Sequence, residues 1–437
     1  MKPTLLFSAA CLLWTTVAFP FNENLPAYHG EHHGEKRPGK GKDDTHWVAT
    51  WTAMPQLVEQ ANLPPAPYTG SSVFVDATLR QTLHMSIGGE KMRIQISNRF
   101  GGTPLPITAA SLALPTGGAA GSGSIDLTTL KPLTFSGSSS VTIPVGQVVY
   151  TDPIDFSIKP QSMITVTLFS QAGQSGTNIT GHPGSRTTSW MQTGNQVNAF
   201  NVTNNNTLHW YFLTAVEVEA PLTTSAWVVL GDSITDGRGS DNNANNRWPD
   251  LVLAKMQEHN ITNISMCNQA AGGNAVLPQS NGLGPPLIER YQRDLLGTAG
   301  VKYAMIFEGV NDIGVASADT TTQTTIGDDV ESDFVIIAKA AAAAGIKVFG
   351  ATITPFGGVG QAYSAPARET ERESMNKWIL ALADGSYKAS VDFAKVVANP
   401  ANSSELNPAF DSGDHLHPNV SGYQAIADAF PLDIFFR

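Results

Sequence analysis

The hydrophobic pattern of the chain changes near residue 220, and this change constrains the fold more than any other feature. Upstream of it, KMRIQISN alternates apolar Met92, Ile94 and Ile96 with polar residues, and SMITVTLFS has the same period of two. Such runs, separated by clusters such as PTGGAAGSGS, indicate antiparallel strands. We therefore predict an all-β sandwich of the jelly-roll type over residues 47–220.

Downstream of residue 220, short apolar runs alternate with helical patterns. The runs occupy residues 226–230, 264–267, 301–307, 346–354 and 389–396. One helix is predicted within DDVESDFVIIAKAAAAAG, where one face carries Val330, Phe334, Ile337, Ala338 and Ala341. Another is predicted over residues 365–383, with Trp378 and Leu382 one turn apart. Strands with intervening helices predict an α/β domain over residues 221–437, whose parallel sheet is covered on both faces.

The first residues predict export. Residues 1–18 place Lys2 before an apolar core and end in small residues, which is the layout of a secretory signal peptide. Residues 19–46 are polar and rich in His and Lys, which is typical of a disordered leader. No later segment has the length of a membrane helix, so we expect a secreted protein without stable membrane association.

Cysteine and asparagine usage add to this prediction. Cys11 lies in the predicted signal, so the mature chain keeps only Cys267, which we expect to be a buried small side chain without a disulfide partner. Asn-x-Ser/Thr motifs favour a glycoprotein; they begin at Asn178, Asn201, Asn205, Asn260, Asn263, Asn402 and Asn419.

The formal charge of −11 argues against a nucleic-acid partner, and the sequence leaves the oligomeric state open.

Four polar motifs follow predicted strands or lie near the C-terminus. They are WVVLGDSITDG with Ser233, CNQAAGGNAV with Gly272 and Gly273, FEGVNDIG with Asn311, and DSGDHLHPNVSG with Asp414 and His417. Taken alone, each motif is explained as a turn, a helix cap or a loop. Because reactive loops of parallel sheets lie at the carboxyl ends of the strands, we expect the four to meet at one edge.

Together the motifs supply what nucleophilic acyl transfer requires. The Ser233 hydroxyl needs an imidazole to take its proton, and the imidazole needs an acceptor on its other nitrogen. Asp414 and His417 are three residues apart and can face the same way. The backbone N–H groups of Ser233 and Gly273, with the Asn311 carboxamide, would stabilise the oxyanion.

The motifs also resemble, in order, the four conserved blocks of the GDSL or SGNH hydrolases. The resemblance implies a flavodoxin-like three-layer α/β/α domain. It implies Ser233 as nucleophile, His417 as general base and Asp414 as orienting acid, with an oxyanion hole formed by Ser233, Gly273 and Asn311. It implies no cofactor and no metal. The chain as a whole resembles secreted two-domain GDSL esterases with a β-rich N-terminal domain.

Two assignments have an alternative nearby in the sequence. Gly272 adjoins Gly273, and His415 lies two residues from His417. The Asp-x-x-His spacing favours His417. Asp232 and Asp236 are expected to shape the serine loop, and Arg238 is expected to be a solvated loop residue.

The sequence thus predicts a secreted serine esterase that removes acetyl or other short acyl groups from small-molecule or polysaccharide-borne esters. A lipase for longer acyl chains is the alternative within the family. A carbohydrate-binding protein with an inactive hydrolase domain is the alternative of another class; its candidate contacts are Trp47, Trp51, Trp190 and Trp210. An α/β-hydrolase is disfavoured because the G-x-S-x-G elbow is missing, and a two-metal phosphoesterase because clustered ligands are missing.

Overall fold

Antiparallel sheets form the first part of the chain and a parallel sheet forms the second. The structure, a computed structural model, describes residues 44–437. The predicted signal peptide and residues 19–43 of the predicted leader lie outside the described residues. The first strand begins at Thr45, so the end of the segment predicted as leader is already strand.

The β-rich region, residues 44–221, consists of strands joined by loops and short 3₁₀ helices. Its strands are β1 Thr45–Thr52, β2 Gln56–Leu57, β3 Ser72–Val73, β4 Ala77–His84, β5 Gly89–Ser97, β6 Leu105–Ile107, β7 Ala109–Ala113, β8 Lys131–Pro132, β9 Val141–Ile143, β10 Val148–Tyr150, β11 Ile154–Ile158, β12 Met163–Ser170, β13 Gln174–Ser175, β14 Thr180–His182, β15 Ser189–Thr193, β16 Asn205–Thr207, β17 Trp210–Tyr211 and β18 Leu213–Pro221. Its 3₁₀ helices are Gln60–Asn62, Thr116–Gly118 and Leu127–Thr129.

Two antiparallel sheets dominate this region. One has the order β1-β18-β5-β10, with β11 also paired to β5, and the other has the order β16-β15-β4-β12-β7-β8. In β5 the predicted alternation is confirmed as far as Ile96, because Met92, Ile94 and Ile96 are buried and the residues between them are partly exposed; Ser97, which follows, is buried. In β12 all residues are buried, so this strand is covered on both faces. There the Thr167 hydroxyl accepts a hydrogen bond from the buried Arg80 guanidinium at 3.0 Å.

The α/β region, residues 225–437, alternates strands and helices as predicted. Its strands are β19 Ser225–Gly231, β20 Ile264–Ala270, β21 Val301–Phe307, β22 Lys347–Ala351, β23 Ala389–Val391, β24 Ala398–Asn399 and β25 Asn402–Leu406. Its α-helices are α1 Ser233–Asp236, α2 Trp248–Glu258, α3 Leu287–Tyr291, α4 Val310–Val315, α5 Thr320–Ala343, α6 Pro366–Leu380, α7 Phe393–Val397 and α8 Val420–Ala429. A π-helix at Gln292–Leu296 extends α3, and 3₁₀ helices occupy Pro278–Ser280, Ala383–Gly385 and Leu432–Phe436.

The central sheet is parallel and has the order β20-β19-β21-β22-β23. This is the 2-1-3-4-5 order of flavodoxin-like folds, in which the strand order reverses at the first strand. Right-handed crossovers on either side of that reversal place helices on opposite faces. Accordingly, α2 and α7 pack with α8, whereas α4, α5 and α6 pack with one another. The predicted three-layer α/β/α domain is therefore the observed fold.

Three boundaries differ from the sequence-based expectations. The predicted face of α5 is buried, but the helix begins earlier, at Thr320, because Asp319 caps it. Leu382 lies beyond the end of α6, in a left-handed conformation with a φ of 65°, and so does not share a helical face with Trp378. The last apolar run is not one strand, because a short strand is followed directly by α7.

The β-rich region covers the open edge of the parallel sheet. Among residues 44–437, β20 pairs only with β19, so the carbonyl groups on its other side need donors. The Ser86 hydroxyl donates to the Met266 carbonyl oxygen at 2.9 Å, and the Thr52 hydroxyl donates to the Asn268 carbonyl oxygen at 3.0 Å. Between them Cys267 is buried, as expected, and burial raises the pKa of its thiol to about 12.

The antiparallel part ends at Pro221 and the parallel sheet begins at Ser225, close to the predicted change of architecture. The assignment of the two regions as separate domains stays a prediction. Within residues 44–437, every helix is too short or too polar to cross a membrane.

Candidate active site

Three strand ends and one loop bring the predicted residues into a single cleft. Ser233 follows β19, Gly273 follows β20, and Asn311 follows β21. Because the strand order reverses at β19, the loops after β19 and its neighbours border a crevice at the carboxyl edge of the sheet. His417, from the loop before α8, completes a cleft of about 490 Å³.

Ser233, His417 and Asp414 form a continuous chain of hydrogen bonds. Ser233 Oγ lies 2.7 Å from His417 Nε2, and His417 Nδ1 lies 2.7 Å from Asp414 Oδ2. The other carboxylate oxygen, Asp414 Oδ1, accepts from the His417 backbone N–H at 2.9 Å. The three-residue spacing therefore fixes both the side chain and the backbone of the histidine against one carboxylate. A hydroxyl, an imidazole and a carboxylate in this order can remove a proton from the hydroxyl.

The environment of Asp414 favours its ionised form. Burial alone would raise the pKa of this carboxyl, but hydrogen bonds from the ring and the backbone of His417 outweigh burial. They hold the pKa of Asp414 well below its usual range. Asp414 is thus a carboxylate throughout the range in which the imidazole can act as a base.

The competing histidine has a different partner. His415 Nδ1 lies 2.6 Å from Asp411 Oδ2, and the side chain is partly exposed. Ser233 therefore has His417, and not His415, as its partner. Arg238, at the edge of the cleft, is largely exposed, with Nε 3.8 Å from Asp414 Oδ2.

The two glycines after β20 differ in the use of their N–H groups. The Gly272 N–H donates to Asp236 Oδ2 at 3.1 Å. The Gly273 N–H finds no acceptor among residues 44–437. Gly273 has a φ of 70°, a left-handed conformation that a glycine adopts without strain. The structure thus leaves the Gly273 N–H, rather than that of Gly272, available to an oxyanion.

The Asn311 carboxamide is held in one orientation. Its Nδ2 donates to the Asn274 carbonyl oxygen at 2.7 Å, and its Oδ1 accepts from the Tyr363 hydroxyl at 2.9 Å. These contacts leave one N–H of Nδ2 for the cleft. The Ser233 N–H lies in the first turn of α1, where backbone donors have no acceptor within the helix.

Buried charges support the glycine loop from behind. The Arg290 guanidinium donates from Nε to Asn274 Oδ1 at 2.9 Å and faces Asp294 and Glu308. On the other side, Asp312 accepts hydrogen bonds from the backbone N–H groups of Val276 and Leu277, each at 3.0 Å. The loop after β20 is therefore fixed by both a cation and an anion.

Asp232, the first acidic residue of the loop after β19, stabilises the start of α1. Asp232 Oδ1 accepts from the Ile234 N–H at 2.8 Å and caps α1. Burial raises the pKa of Asp232 to about 7, with a further contribution from the nearby charge of Asp312. Burial also raises the pKa of Glu308, which Arg290 only partly offsets.

The contribution of the β-rich region to the cleft is not predicted by the sequence. One wall consists of polar and small residues from its loops; they are Gln56, Glu59, Asn62, Pro183, Gly184, Arg186, Leu208 and His209. Behind this wall His182 reaches Asp236, with 2.9 Å between Nε2 and Oδ1. These residues lie in short strands and irregular loops without periodicity, so no sequence signal distinguishes them.

The candidate carbohydrate-binding tryptophans are mostly internal. Trp51 and Trp210 are buried and pack edge to face, with ring centroids 5.0 Å apart. Trp47 is covered by the Arg93 guanidinium, and the Trp190 ring nitrogen donates to the Gly121 carbonyl oxygen. Within the described residues, contacts inside the β-rich region therefore explain the presence of these four tryptophans.

The second region is similar to known proteins. Residues 229–425 match the profile of the GDSL-like Lipase/Acylhydrolase family. No curated protein sequence matches the chain.

Solved structures similar to the chain include a GDSL-like lipase from Bacteroides thetaiotaomicron, with 18% identity and a TM-score of 0.36, covering 48% of this chain and 88% of that chain. A lipase/acylhydrolase from Enterococcus faecalis has 20% identity and a TM-score of 0.35, covering 47% and 93%. An acetyl xylan esterase from Geobacillus stearothermophilus has 20% identity and a TM-score of 0.35, covering 49% and 98%.

Proposed function

We propose that the protein is a serine carboxylic-ester hydrolase with a preference for acetyl and other short acyl groups, and the match of residues 229–425 to the GDSL-like lipase/acylhydrolase family supports this proposal. The observation that carries the proposal is the 2.7 Å contact between Ser233 Oγ and His417 Nε2, with Asp414 on the other ring nitrogen. An imidazole so placed makes the hydroxyl a nucleophile.

The first half-reaction transfers the acyl group to the serine. Ser233 Oγ attacks the ester carbonyl carbon while its proton passes to His417 Nε2. The N–H groups of Ser233 and Gly273 and the free N–H of the Asn311 carboxamide stabilise the tetrahedral oxyanion. When the intermediate collapses, the bond to the alcohol breaks and the alcohol leaves with the proton from Nε2.

The second half-reaction releases the acid. Water enters in place of the alcohol, and His417 takes its proton as its oxygen attacks the acyl-enzyme carbonyl. The intermediate collapses to the free acid and returns the proton to Ser233 Oγ. Asp414 holds the Nδ1–H throughout and, as a carboxylate of depressed pKa, stabilises the imidazolium without taking its proton.

The cleft supports a small acyl group on a polar alcohol. Its volume of about 490 Å³ is in the range of small-molecule sites. Leu283 packs against Gly273 and Tyr363 bonds to Asn311, which limits the space beside the oxyanion donors. The wall from the β-rich region carries amide, carboxylate and guanidinium groups, which suit the hydroxyls of a carbohydrate. We therefore include carbohydrate-linked acetyl esters, small or polymeric, among the proposed substrates.

The test is hydrolysis of p-nitrophenyl esters from acetate to laurate by wild type and Ser233→Ala. We expect the highest kcat/KM with acetate and a loss of at least about 10⁴-fold in kcat in the variant, since nucleophile and base act as one unit. Ser240→Ala is a matched control, because Ser240 Oγ bonds only the Gly237 carbonyl oxygen in the same segment. This control should retain wild-type kinetics.

Two outcomes would contradict the proposal in different ways. A maximum at laurate would make the enzyme a lipase for long acyl chains. Folded wild-type protein without activity on any ester would favour the binding-protein alternative. Undiminished activity in Ser233→Ala would remove Ser233 from the mechanism.

We also propose that the protein is secreted and glycosylated. The secretory layout of residues 1–18 and the Asn-x-Ser/Thr motifs support this proposal. Several of these asparagines, such as Asn178 and Asn260, are exposed, whereas Asn419 caps α8 with its side chain. Expression in a eukaryotic secretory host should place the protein in the medium, with a lower mass after glycosidase treatment. Retention in the cell at unchanged mass would contradict export.

A further inference from the structure

Arg186 has an unusual position in the cleft. It lines the same cavity as Ser233 and His417. Its Nε is buried, and across residues 44–437 its guanidinium has neither a hydrogen-bond acceptor nor an ion-pair partner. Buried polar groups are nearly always paired, so this exception requires an explanation.

The acidic groups of the cleft are already bonded to other residues. Asp236 Oδ1 lies 2.9 Å from His182 Nε2, and Asp236 Oδ2 accepts from the Gly272 N–H. Glu59 accepts hydrogen bonds from two side-chain amides of its own segment. Arg186 is therefore not the missing partner of a neighbouring carboxylate.

The backbone holds Arg186 in a strained conformation. Its φ of 50° lies in the left-handed region that residues with a side chain rarely adopt. Its carbonyl oxygen accepts from the Asn243 N–H at 2.8 Å, and the Ser185 hydroxyl bridges to the Thr187 carbonyl oxygen at 2.9 Å. The surrounding loop thus fixes a strained backbone beside the reactive serine, and strain of this kind is concentrated at functional sites.

The Arg186 guanidinium is a charged group of the cleft that can pair with an anion. Burial lowers the pKa of Arg186, and Asp236 partly restores it, so the guanidinium stays charged. Arg238 is a second cation at the edge of the cleft, but it is exposed and faces Asp414. One unpaired guanidinium balances a single anionic group better than a dianion such as a phosphate monoester.

We propose that Arg186 binds a carboxylate carried by the substrate, so that acidic esters are the preferred substrates. The inference rests on the proposed ester hydrolysis at Ser233 and specifies its substrate class. A planar guanidinium pairs with a carboxylate through two parallel hydrogen bonds, which gives both affinity and orientation. An acetylated sugar acid would present an ester and a carboxylate within one cleft of this size.

The experiment compares two aryl acetates that differ in one group. 4-Acetoxybenzoate carries a carboxylate, and 4-acetoxybenzamide has a neutral amide in its place; the 3-substituted pair covers a second geometry. We expect wild type to prefer the benzoate of at least one pair by about tenfold or more in kcat/KM, as for hydrogen bonds to charged groups. The preference should disappear in Arg186→Gln and persist in part in Arg186→Lys.

A further variant separates binding from folding. Arg186→Gly removes the side chain and also relieves the positive φ, so its thermal stability should equal or exceed that of wild type. It should lose the preference like Arg186→Gln. Arg437→Gln, which removes a cation that pairs with Asp433 at the C-terminus, should keep the preference.

The outcomes distinguish this inference from the proposed function. Equal hydrolysis of benzoate and benzamide in both pairs by wild type would overturn the acidic-ester proposal and leave ester hydrolysis intact. A preference that survives in Arg186→Gly, or is lost in Arg238→Gln instead, would also overturn it. No hydrolysis of either compound or of p-nitrophenyl acetate would overturn the proposed function itself.

Discussion

The α/β region supplies every group proposed to react with the ester, whereas the β-rich region supplies groups that surround and support them. Three neighbouring strands of one parallel sheet, β19, β20 and β21, are followed by Ser233, Gly273 and Asn311. By contrast, His182 lies in the short strand β14, and Arg186 lies in the loop between β14 and β15. The parallel sheet of the α/β region thus positions the groups proposed to react. The surrounding groups are positioned where loops of the β-rich region pack against that sheet.

The contact at His182 shows how the second region acts on the first. Its Nδ1 lies 3.1 Å from the Met54 carbonyl oxygen and its Nε2 lies 2.9 Å from Asp236 Oδ1. The ring of His182 is therefore held at both nitrogens. Asp236 Oδ2 in turn accepts the Gly272 N–H, next to the proposed oxyanion donor Gly273. His182 is thus a positioning residue that acts through Asp236.

The largest effect expected from the β-rich side follows from this contact. His182→Gln should lower kcat for p-nitrophenyl acetate by about tenfold to a hundredfold, because Gly273 is then less well placed for the transition state. KM should change little, since the contact acts on the oxyanion and not on the bound ester. Steady-state kinetics of the purified variant measure both parameters.

Two further variants test whether the lower kcat of His182→Gln is caused by a displaced Asp236. A Cβ at Gly184 would lie 1.6 Å from Asp236 Oδ2, so Gly184→Ala should displace this carboxylate and lower kcat in the same way. His84→Gln is the matched control, because His84 also faces an acid of the other region, Asp250, at 3.7 Å, but has no contact with the glycine loop. A similar loss of kcat in His84→Gln would mean that any weakened contact between the regions suffices.

The same division explains which features the sequence predicts. Ser233 and Asn311 lie in short motifs directly after apolar strands, and the 2-1-3-4-5 order brings such motifs to one edge. Asp414 and His417 are close in sequence, so their contact needs only a local turn. Fold and candidate site in the α/β region therefore follow from local pattern and topology.

The wall of the cleft depends on contacts that no local pattern encodes. Arg186 and Glu59 lie far apart in sequence, in loops between short strands, and they reach the cleft only through packing of the two regions. The threonines of β12 illustrate the same limit, because their alternation with apolar residues predicts an exposed face that the fold in fact covers. Long-range burial, and not local propensity, decides these positions.

Two buried acids, one in each region, differ in their partners, and this difference gives the smallest of the expected effects. In the β-rich region, buried Glu217 pairs with Arg93 and accepts from the Tyr150 hydroxyl. In the α/β region, Asp232 is buried without a cation bonded to it, and its pKa is raised to about 7. Such an acid keeps its proton in the folded state at a pH where the unfolded chain has already lost it.

The sign of the pH effect follows from that difference. Between the unfolded pKa of about 4 and the folded pKa of about 7, the folded state binds more protons, so the free energy of unfolding falls as pH rises. Asp232→Asn keeps the cap on α1 but removes the titration. In wild type the free energy of unfolding should fall between about pH 5 and about pH 7. In Asp232→Asn we expect this fall, measured by denaturant unfolding, to be smaller by roughly 1–3 kcal/mol.

Asp319→Asn tests whether burial is the cause. Asp319 also caps a helix, α5, but it is exposed, and hydrogen bonds from Thr322 lower its pKa. A depressed pKa affects stability only below the usual carboxyl range, so this variant should keep the wild-type slope between about pH 5 and about pH 7. If both variants flatten the slope equally, the effect belongs to helix capping. If only Asp232→Asn does, the slope comes from the buried acid beside Ser233, whereas the buried Glu217 is paired with Arg93.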